Sequence, residues 1–163
     1  MEKKLLFDEM LKRPCTWLRI FGLDCRYEKG RGDDELLEID RDEGYTLITK
    51  DEALSRRCTK EGVRTVLIKN GSLEEQIAQV VSELDLELSF PDRTRCPACG
   101  SLLDVAGKEE MRGKIPEKTY ENNNEYWICC MCGKVYWRGG HWMNITRIFG
   151  NVEALLKQTN KKP

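Results

Sequence analysis

Two cysteine pairs carry the clearest chemistry in the sequence. Cys96 and Cys99 form the first pair, Cys129 and Cys132 form the second, and a glycine follows each pair. Paired Cys-x-x-Cys turns supply four thiolates to one tetrahedral metal ion, and glycine tolerates the positive φ angle that such turns require. The 29 residues between the pairs exceed the common zinc-finger loop. The pattern therefore predicts a zinc ribbon rather than a simple finger.

Iron in the same four-cysteine site is an alternative, and it would make the chain an electron-transfer protein with rubredoxin-like knuckles. The other cysteines have no ligand spacing among themselves, and we expect them to be small buried side chains or free thiols. They are Cys15, Cys25, Cys58 and Cys130. Cys130 is an alternative metal ligand, because it lies inside the second pair.

A second chemically capable set is acidic. Asp8 and Asp51 each follow an apolar run typical of a buried strand, and Asp33 and Asp34 open a predicted helix between them. Ligands of parallel α/β sheets bind outside the carboxyl ends of the strands, so these acids could share one crevice. Clustered carboxylates favour a hard cation, and Mg²⁺ or Mn²⁺ there could activate water for attack on a phosphodiester. The alternative is that each acid only caps a helix or a turn.

The elements that position these acids alternate between strands and helices. Apolar and β-branched runs predict strands at 4–7, 25–27, 45–49 and 65–68. Helical spacing and capping residues predict helices at 14–21, 33–43, 51–57 and 72–84. This alternation implies βαβ crossovers and a mostly parallel sheet, so we predict an α/β fold.

The cysteines concentrate after residue 95, which predicts two domains, at 1–90 and 91–163. In the second, the polar stretch 106–125 has no apolar period and predicts an exposed excursion of the ribbon. A strand within 134–138 and an amphipathic C-terminal helix follow, and we expect disorder only at 157–163.

Charge divides the chain in the same place. Residues 1–92 hold 15 basic and 21 acidic side chains, and residues 93–163 hold 12 and 7, giving net charges of −6 and +5. The acidic part could bind divalent cations and the basic part phosphates, although ordinary solvated faces would give the same counts. Aromatic residues alternate with arginines around the second cysteine pair, and such a surface could stack bases or form the core of a small zinc domain.

Several other classes of protein are excluded or disfavoured. One histidine rules out a two-histidine metalloprotease motif, and neither a Walker nor a dinucleotide-binding glycine loop occurs. The sequence contains no run of 18 apolar residues and no apolar region of a signal peptide, so we expect a cytoplasmic protein with no membrane partner.

A set of short motifs occurs together along the chain. They are Phe7-Asp8-Glu9-Met10-Leu11, Trp17-Leu18-Arg19, Asp33-Asp34-Glu35-Leu36-Leu37, Leu47-Ile48-Thr49-Lys50-Asp51, Arg95-Cys96-Pro97, Cys129 to Trp137 and His141-Trp142. With these motifs the chain resembles, over nearly its whole length, the C-terminal ribonuclease domain family of the Mut-seven exonucleases. Asp40 departs from the family, which usually has a small apolar residue there, and Cys130 stands where proline is common.

The resemblance implies a PIN-like nuclease domain followed by a four-cysteine zinc ribbon and a C-terminal helix. It implies a metal-dependent ribonuclease with Asp8, Asp33 or Asp34, and Asp51 as the acidic positions and Thr49 as a supporting polar group. We expect structural zinc on the cysteines and catalytic Mg²⁺ or Mn²⁺ on Asp8, Asp34 and Asp51. RNA would be the partner, bound by residues of the ribbon: Arg95, Lys134, Trp137, Arg138 and His141. A non-catalytic RNA-binding protein is the alternative.

Overall fold

A four-stranded parallel sheet forms the centre of the larger part of the molecule. The structure is a computed structural model and describes residues 2–159. The strands are β1 (Lys4–Phe7), β2 (Asp24–Tyr27), β3 (Tyr45–Thr49) and β4 (Thr65–Leu67), in the order β2-β1-β3-β4. All neighbouring pairs are parallel. The predicted α/β fold with a parallel sheet is confirmed.

Helices cover both faces of this sheet. They are α1 (Lys12–Ile20), α2 (Asp33–Glu43), α3 (Glu52–Lys60) and α4 (Leu73–Glu83), and a 3-10 turn, Glu9–Leu11, precedes α1. Successive side chains of a strand point to opposite faces, so Leu5 and Phe7 join the core beneath α1 and α4, while Leu6 joins the core beneath α2 and α3. Burial on both faces explains why β1 reads as an uninterrupted apolar run.

A smaller antiparallel sheet carries the cysteine pairs. Its strands are β5 (Leu103–Ala106), β6 (Tyr126–Cys129) and β7 (Val135–Trp137), in the order β5-β6-β7.

The segment 106–125 is mostly exposed, as expected, but it is not without structure. This segment contains a 3-10 turn, Glu109–Met111, and the helix α5 (Glu117–Asn122), and Met111 is buried against Tyr126 in a small core of its own. The elements are too short to display a sequence period.

The C-terminal helix α6 (Trp142–Thr159) packs along α4. Its Ile148 and Val152 lie in the larger core with residues of the parallel sheet. The division into domains at residue 90 therefore stays a prediction, since the last helix returns to the first part of the chain. Helix α6 continues to Thr159, so the expected disorder is wrong for 157–159, and residues 160–163 lie outside the described part. Within residues 2–159, no helix is both long and apolar enough to cross a membrane.

Candidate functional site

The four predicted cysteine ligands meet at one point. The Sγ atoms of Cys96, Cys99, Cys129 and Cys132 all lie within 4.8 Å of one another. Cys96 and Cys132 are 3.7 Å apart, and Cys99 and Cys129 are 3.4 Å apart, sulfur to sulfur. Tetrahedral thiolates about 2.3 Å from zinc would be about 3.8 Å apart. The cluster therefore fits a tetrahedral metal ion such as zinc.

The backbone of each cysteine turn is shaped for this role. Gly100 and Gly133 have φ angles of +84° and +70°, as predicted from their places after the pairs. At the second turn, the amide of Cys132 donates to the Cys129 sulfur at 3.4 Å. Amides that point at sulfur stabilise the thiolate form that binds metal.

Electrostatics at Cys99 favour the thiolate. Burial raises the pKa of this thiol, but hydrogen bonds from Ser101 and the neighbouring cysteines outweigh burial and lower the pKa to about 6. The hydroxyl of Tyr136 lies 3.1 Å from the Cys96 sulfur. Sequence reasoning did not assign Tyr136 to the metal site.

The remaining cysteines lie outside the cluster. Cys15, Cys25 and Cys58 are buried among apolar side chains, as expected. Cys130 is exposed and donates to the Leu102 carbonyl at 3.4 Å.

Asp8 and Thr49 lie side by side at the carboxyl edge of the parallel sheet. Phe7 is in register with Ile48, so the residues that follow them are neighbours across β1 and β3. Thr49 is fully buried, and its hydroxyl donates to Oδ2 of Asp8. The other Asp8 oxygen accepts from the Met10 amide at 3.0 Å. Asp8 is 7% exposed, so its carboxylate is nearly buried, and the two donors hold it in one orientation.

Asp51 is connected to the same pair. Its amide donates to the Thr49 hydroxyl at 3.0 Å, and its Oδ1 accepts from the amides of Ala53 and Leu54 at 2.8 and 3.0 Å. Asp51 is therefore a helix cap, as the alternative interpretation predicted, and it is also linked through Thr49 to Asp8. This connected set, Asp8, Thr49 and Asp51, is called the acidic edge below.

Asp33 and Asp34 lie at the start of α2, and both are exposed. The carboxylate of Asp34 is paired with the guanidinium of Arg57 on α3, which also holds Glu61 at 2.8 Å. Among residues 2–159, the cysteines are the one set of three or more metal-binding side chains close enough to share an ion. Asp34 is thus separate from the acidic edge in this arrangement. The pairing of Arg57 with Asp34 was not predicted. The sequence shows only that Arg57 and Glu61 are four residues apart, a spacing that allows an ion pair within a helix.

The carboxylate chemistry still suits a hard cation. Mg²⁺ keeps several waters and commonly uses only one or two protein carboxylates. Asp8 and Asp51 lie at the ends of adjacent strands, and each has an oxygen with remaining acceptor capacity. Asp8 and Asp51 therefore have the donor chemistry that a divalent cation takes.

The predicted RNA-binding residues occupy separate places. Arg95 is only 13% exposed at its side chain, and its guanidinium binds Glu2 at 3.3 Å and the Gly100 carbonyl at 3.2 Å. Lys134 lines a cavity of about 410 Å³ between the first cysteine turn and α1, beside Lys12 and Arg26. The guanidinium of Arg95 is thus bound by groups of the protein itself. Lys134, in contrast, lies on a surface with other basic side chains.

Trp137, Arg138 and His141 belong to an aromatic region between the small sheet and α6. Trp137 and His141 line a second cavity there, and Arg138 lies over the Trp142 ring at 4.6 Å from the ring centroid. His141 directly precedes α6, and its carbonyl accepts from the Ile145 amide.

Arg19 fixes the cysteine turn to the parallel sheet, and sequence reasoning did not single it out for this. Its guanidinium donates to the Cys25 carbonyl at 2.7 Å and to the carbonyls of Pro97 and Ala98 at 3.1 Å. Arg19 is 7% exposed. The small sheet is therefore attached to the larger one by buried charge-assisted hydrogen bonds.

Comparison with known proteins gives one result. The family model described as the Mut7-C RNAse domain matches residues 3–149. No curated protein and no solved structure matches the chain significantly.

Proposed function

Because the chain belongs to the Mut7-C RNAse domain family, we propose that it is a metal-dependent ribonuclease whose active site is the acidic edge. The observation that carries the proposal is the hydrogen-bonded connection from Asp51 through Thr49 to Asp8 at adjacent strand ends. Family membership supports a nuclease-like function, and the acidic edge supplies the residues for it.

In this proposal Asp8 and Asp51 hold Mg²⁺ or Mn²⁺. The bound cation supplies a Lewis acid and an activated water for phosphodiester hydrolysis. Thr49 keeps the Asp8 carboxylate oriented, since its hydroxyl donates to Oδ2 while it accepts from the Asp51 amide. The Met10 amide fixes the other oxygen. A fixed carboxylate needs little rearrangement when the cation and the substrate arrive.

The cysteine cluster binds structural zinc in this proposal, and the ribbon helps to hold RNA. Lys134 is exposed beside Lys12 on the cavity between ribbon and α1, where phosphates would be attracted. Asp33 and Asp34 open α2, and in this proposal Asp34 becomes a metal ligand if Arg57 moves to the RNA.

The pairing of Asp34 with Arg57 favours a second candidate function. If that pair persists in the presence of RNA and cations, only Asp8 and Asp51 remain for the cation. Should these two fail to hold it, the chain is a non-catalytic RNA-binding protein. Such a protein would bind RNA in a salt-dependent manner and would leave it intact.

The test uses zinc-loaded full-length protein and end-labelled single-stranded RNA. Reactions contain Mn²⁺, Mg²⁺ or neither, and a DNA strand of the same sequence is the substrate control. The ribonuclease predicts cleavage of RNA only when a divalent cation is added. Tight binding of RNA with no cleavage under any of the three conditions would contradict it and favour the RNA-binding protein.

A further inference from the structure

A cavity of about 400 Å³ lies between the small sheet and the start of α6. This cavity is called the aromatic cleft below. Its lining is mostly apolar and includes five aromatic residues: Phe90, Trp127, Tyr136, Trp137 and Trp142. Its size falls in the range of small-molecule sites. The proposed cleavage chemistry at the acidic edge makes no use of it.

One wall of the aromatic cleft is a face of the small sheet. Val105, Trp127 and Tyr136 are in register across β5, β6 and β7, so their side chains project from the same face. The opposite face, with Ala106 and Tyr126, packs on the small core of the ribbon. Val105 is 82% exposed, so the wall continues onto the surface as an open apolar platform.

The other wall comes from the segment before α6 and from the Phe90 region. Trp142 packs against Phe90 with 5.1 Å between ring centroids, and both line the cavity. This wall is attached to the larger core, because Phe90 also packs against Phe21 and Phe149. The two walls therefore belong to different parts of the fold and are rigidly supported.

A cation lies over ring faces of both walls. The guanidinium of Arg138 is 4.6 Å from the Trp142 ring centroid and 5.9 Å from that of Trp127. Its side chain is 48% exposed and has Glu125 at 3.3 Å as a partner. A guanidinium stacked on aromatic rings can still bind a phosphate, and the apolar ring surface beside it stays accessible.

We propose that the aromatic cleft binds one unpaired nucleobase of an RNA strand, with the adjoining phosphate at Arg138. This inference rests on the proposed function for its choice of RNA. Flat rings on two walls suit the π-face of a base, and every base has one. His141 and Asp92 also line the cleft and offer polar atoms for a base edge. Residues 93–163 carry a formal net charge of +5, and of +3 once the four thiolates and Zn²⁺ are counted, which favours a polyanion over an apolar protein segment.

The experiment compares two ligands of equal charge. One is a fluorescently labelled single-stranded RNA of ten nucleotides, and the other is the same strand with every base removed. Both are titrated at fixed salt into zinc-loaded full-length protein that carries Asp8→Asn, so that the RNA survives the measurement. The quantity of interest is the ratio of the two affinities, which cancels the contribution of phosphates.

We expect the base-bearing strand to bind about 5- to 100-fold more tightly than the abasic strand, from stacking of one base. Trp127→Leu should reduce this ratio to near one, and Trp142→Leu, in the other wall, should lower it as well if Trp127→Leu does not fold. Arg138→Ala should weaken binding of both strands more than Arg147→Ala does. Arg147 is the matched control, because it is exposed on α6 outside the cleft and bonds only to Asn144 among described residues.

Equal affinities for the two strands would overturn the proposal, and so would equal effects of Arg138→Ala and Arg147→Ala. Self-association of the protein that Trp127→Leu abolishes, with the affinity ratio unchanged, would also overturn it and assign the cleft to a second copy. Cleavage by the protein with native Asp8 is measured separately. If the protein cleaves RNA but binds the base-bearing and abasic strands equally, only this inference is contradicted. If it binds the base-bearing strand more tightly but does not cleave RNA, only the ribonuclease proposal is contradicted.

Discussion

Asp40 is a buried carboxylate whose removal should stabilise the protein. It lies on α2 and is 7% exposed, and within the described residues its Oδ1 has no hydrogen-bond partner. Burial raises its pKa from 3.8 to about 6, and Arg41 opposes this only partly. We therefore expect Asp40→Ala to increase the free energy of unfolding at pH 8.

The size of the effect follows from the shift in pKa. About two pKa units correspond to about 3 kcal/mol, and screening by water at the partly open edge reduces this to about 2 kcal/mol. Because the pKa is higher in the folded state than in the unfolded state, the penalty is full above pH 6. It disappears as the pH falls towards 4. At pH 5 we expect roughly half the gain.

The assay is urea unfolding of zinc-loaded protein at pH 8 and pH 5, followed by circular dichroism. Asp42→Ala is the matched control, since Asp42 is exposed on the same helix and should change stability by less than about 0.5 kcal/mol. A loss of stability in Asp40→Ala at pH 8, or a gain that does not diminish at pH 5, would refute the reasoning about burial.

Three further predictions test the two sites. Thr49→Val should lower the cleavage rate about 10- to 100-fold, because it removes the donor that orients Asp8, and Thr49→Ser should restore it; equal rates for Val and Ser would argue against an orienting hydroxyl. Metal analysis should find one zinc per chain, lost in Cys129→Ser but kept in Cys130→Ser, whose thiol lies outside the cluster; a coloured protein with iron would contradict the zinc assignment. Arg57→Gln should free Asp34 and lower the Mn²⁺ concentration for half-maximal cleavage several-fold, measured against Arg56→Gln on the same helix, and an unchanged requirement would show that Asp34 is not a ligand.

Local patterns were sufficient to predict the parallel sheet and the places of Asp8 and Asp51 at its edge. Thr49 followed only from the family resemblance, and the convergence of Asp33 and Asp34 with these acids stays a prediction. Strands β1 and β3 are short apolar runs, and Asp8 and Asp51 follow them within two residues. A residue that follows a strand of a parallel sheet lies at the carboxyl edge of that sheet, so these two places could be predicted. The cysteine cluster was equally predictable, because both pairs have ligand spacing and a following glycine with positive φ.

Contacts between distant elements could not be predicted in the same way. Arg57 reaches Asp34 from another helix, and Arg19 reaches the first cysteine turn from α1. Both depend on how helices pack, which one sequence does not reveal. Strands β5 and β6 have four residues each, which is too few to show a clear apolar period. The short turn and helix within 106–125 escaped prediction for the same reason.

The most direct test of the account is cleavage of single-stranded RNA with Mn²⁺ by wild type, Asp8→Asn and the exposed control Asp42→Asn, each with its zinc content measured. Both variants remove one negative charge, but only Asp8 belongs to the acidic edge. We predict that Asp8→Asn lowers the rate by at least about 100-fold with zinc unchanged, while Asp42→Asn matches wild type. Cleavage by Asp8→Asn at the wild-type rate would contradict the assignment of the active site to the acidic edge.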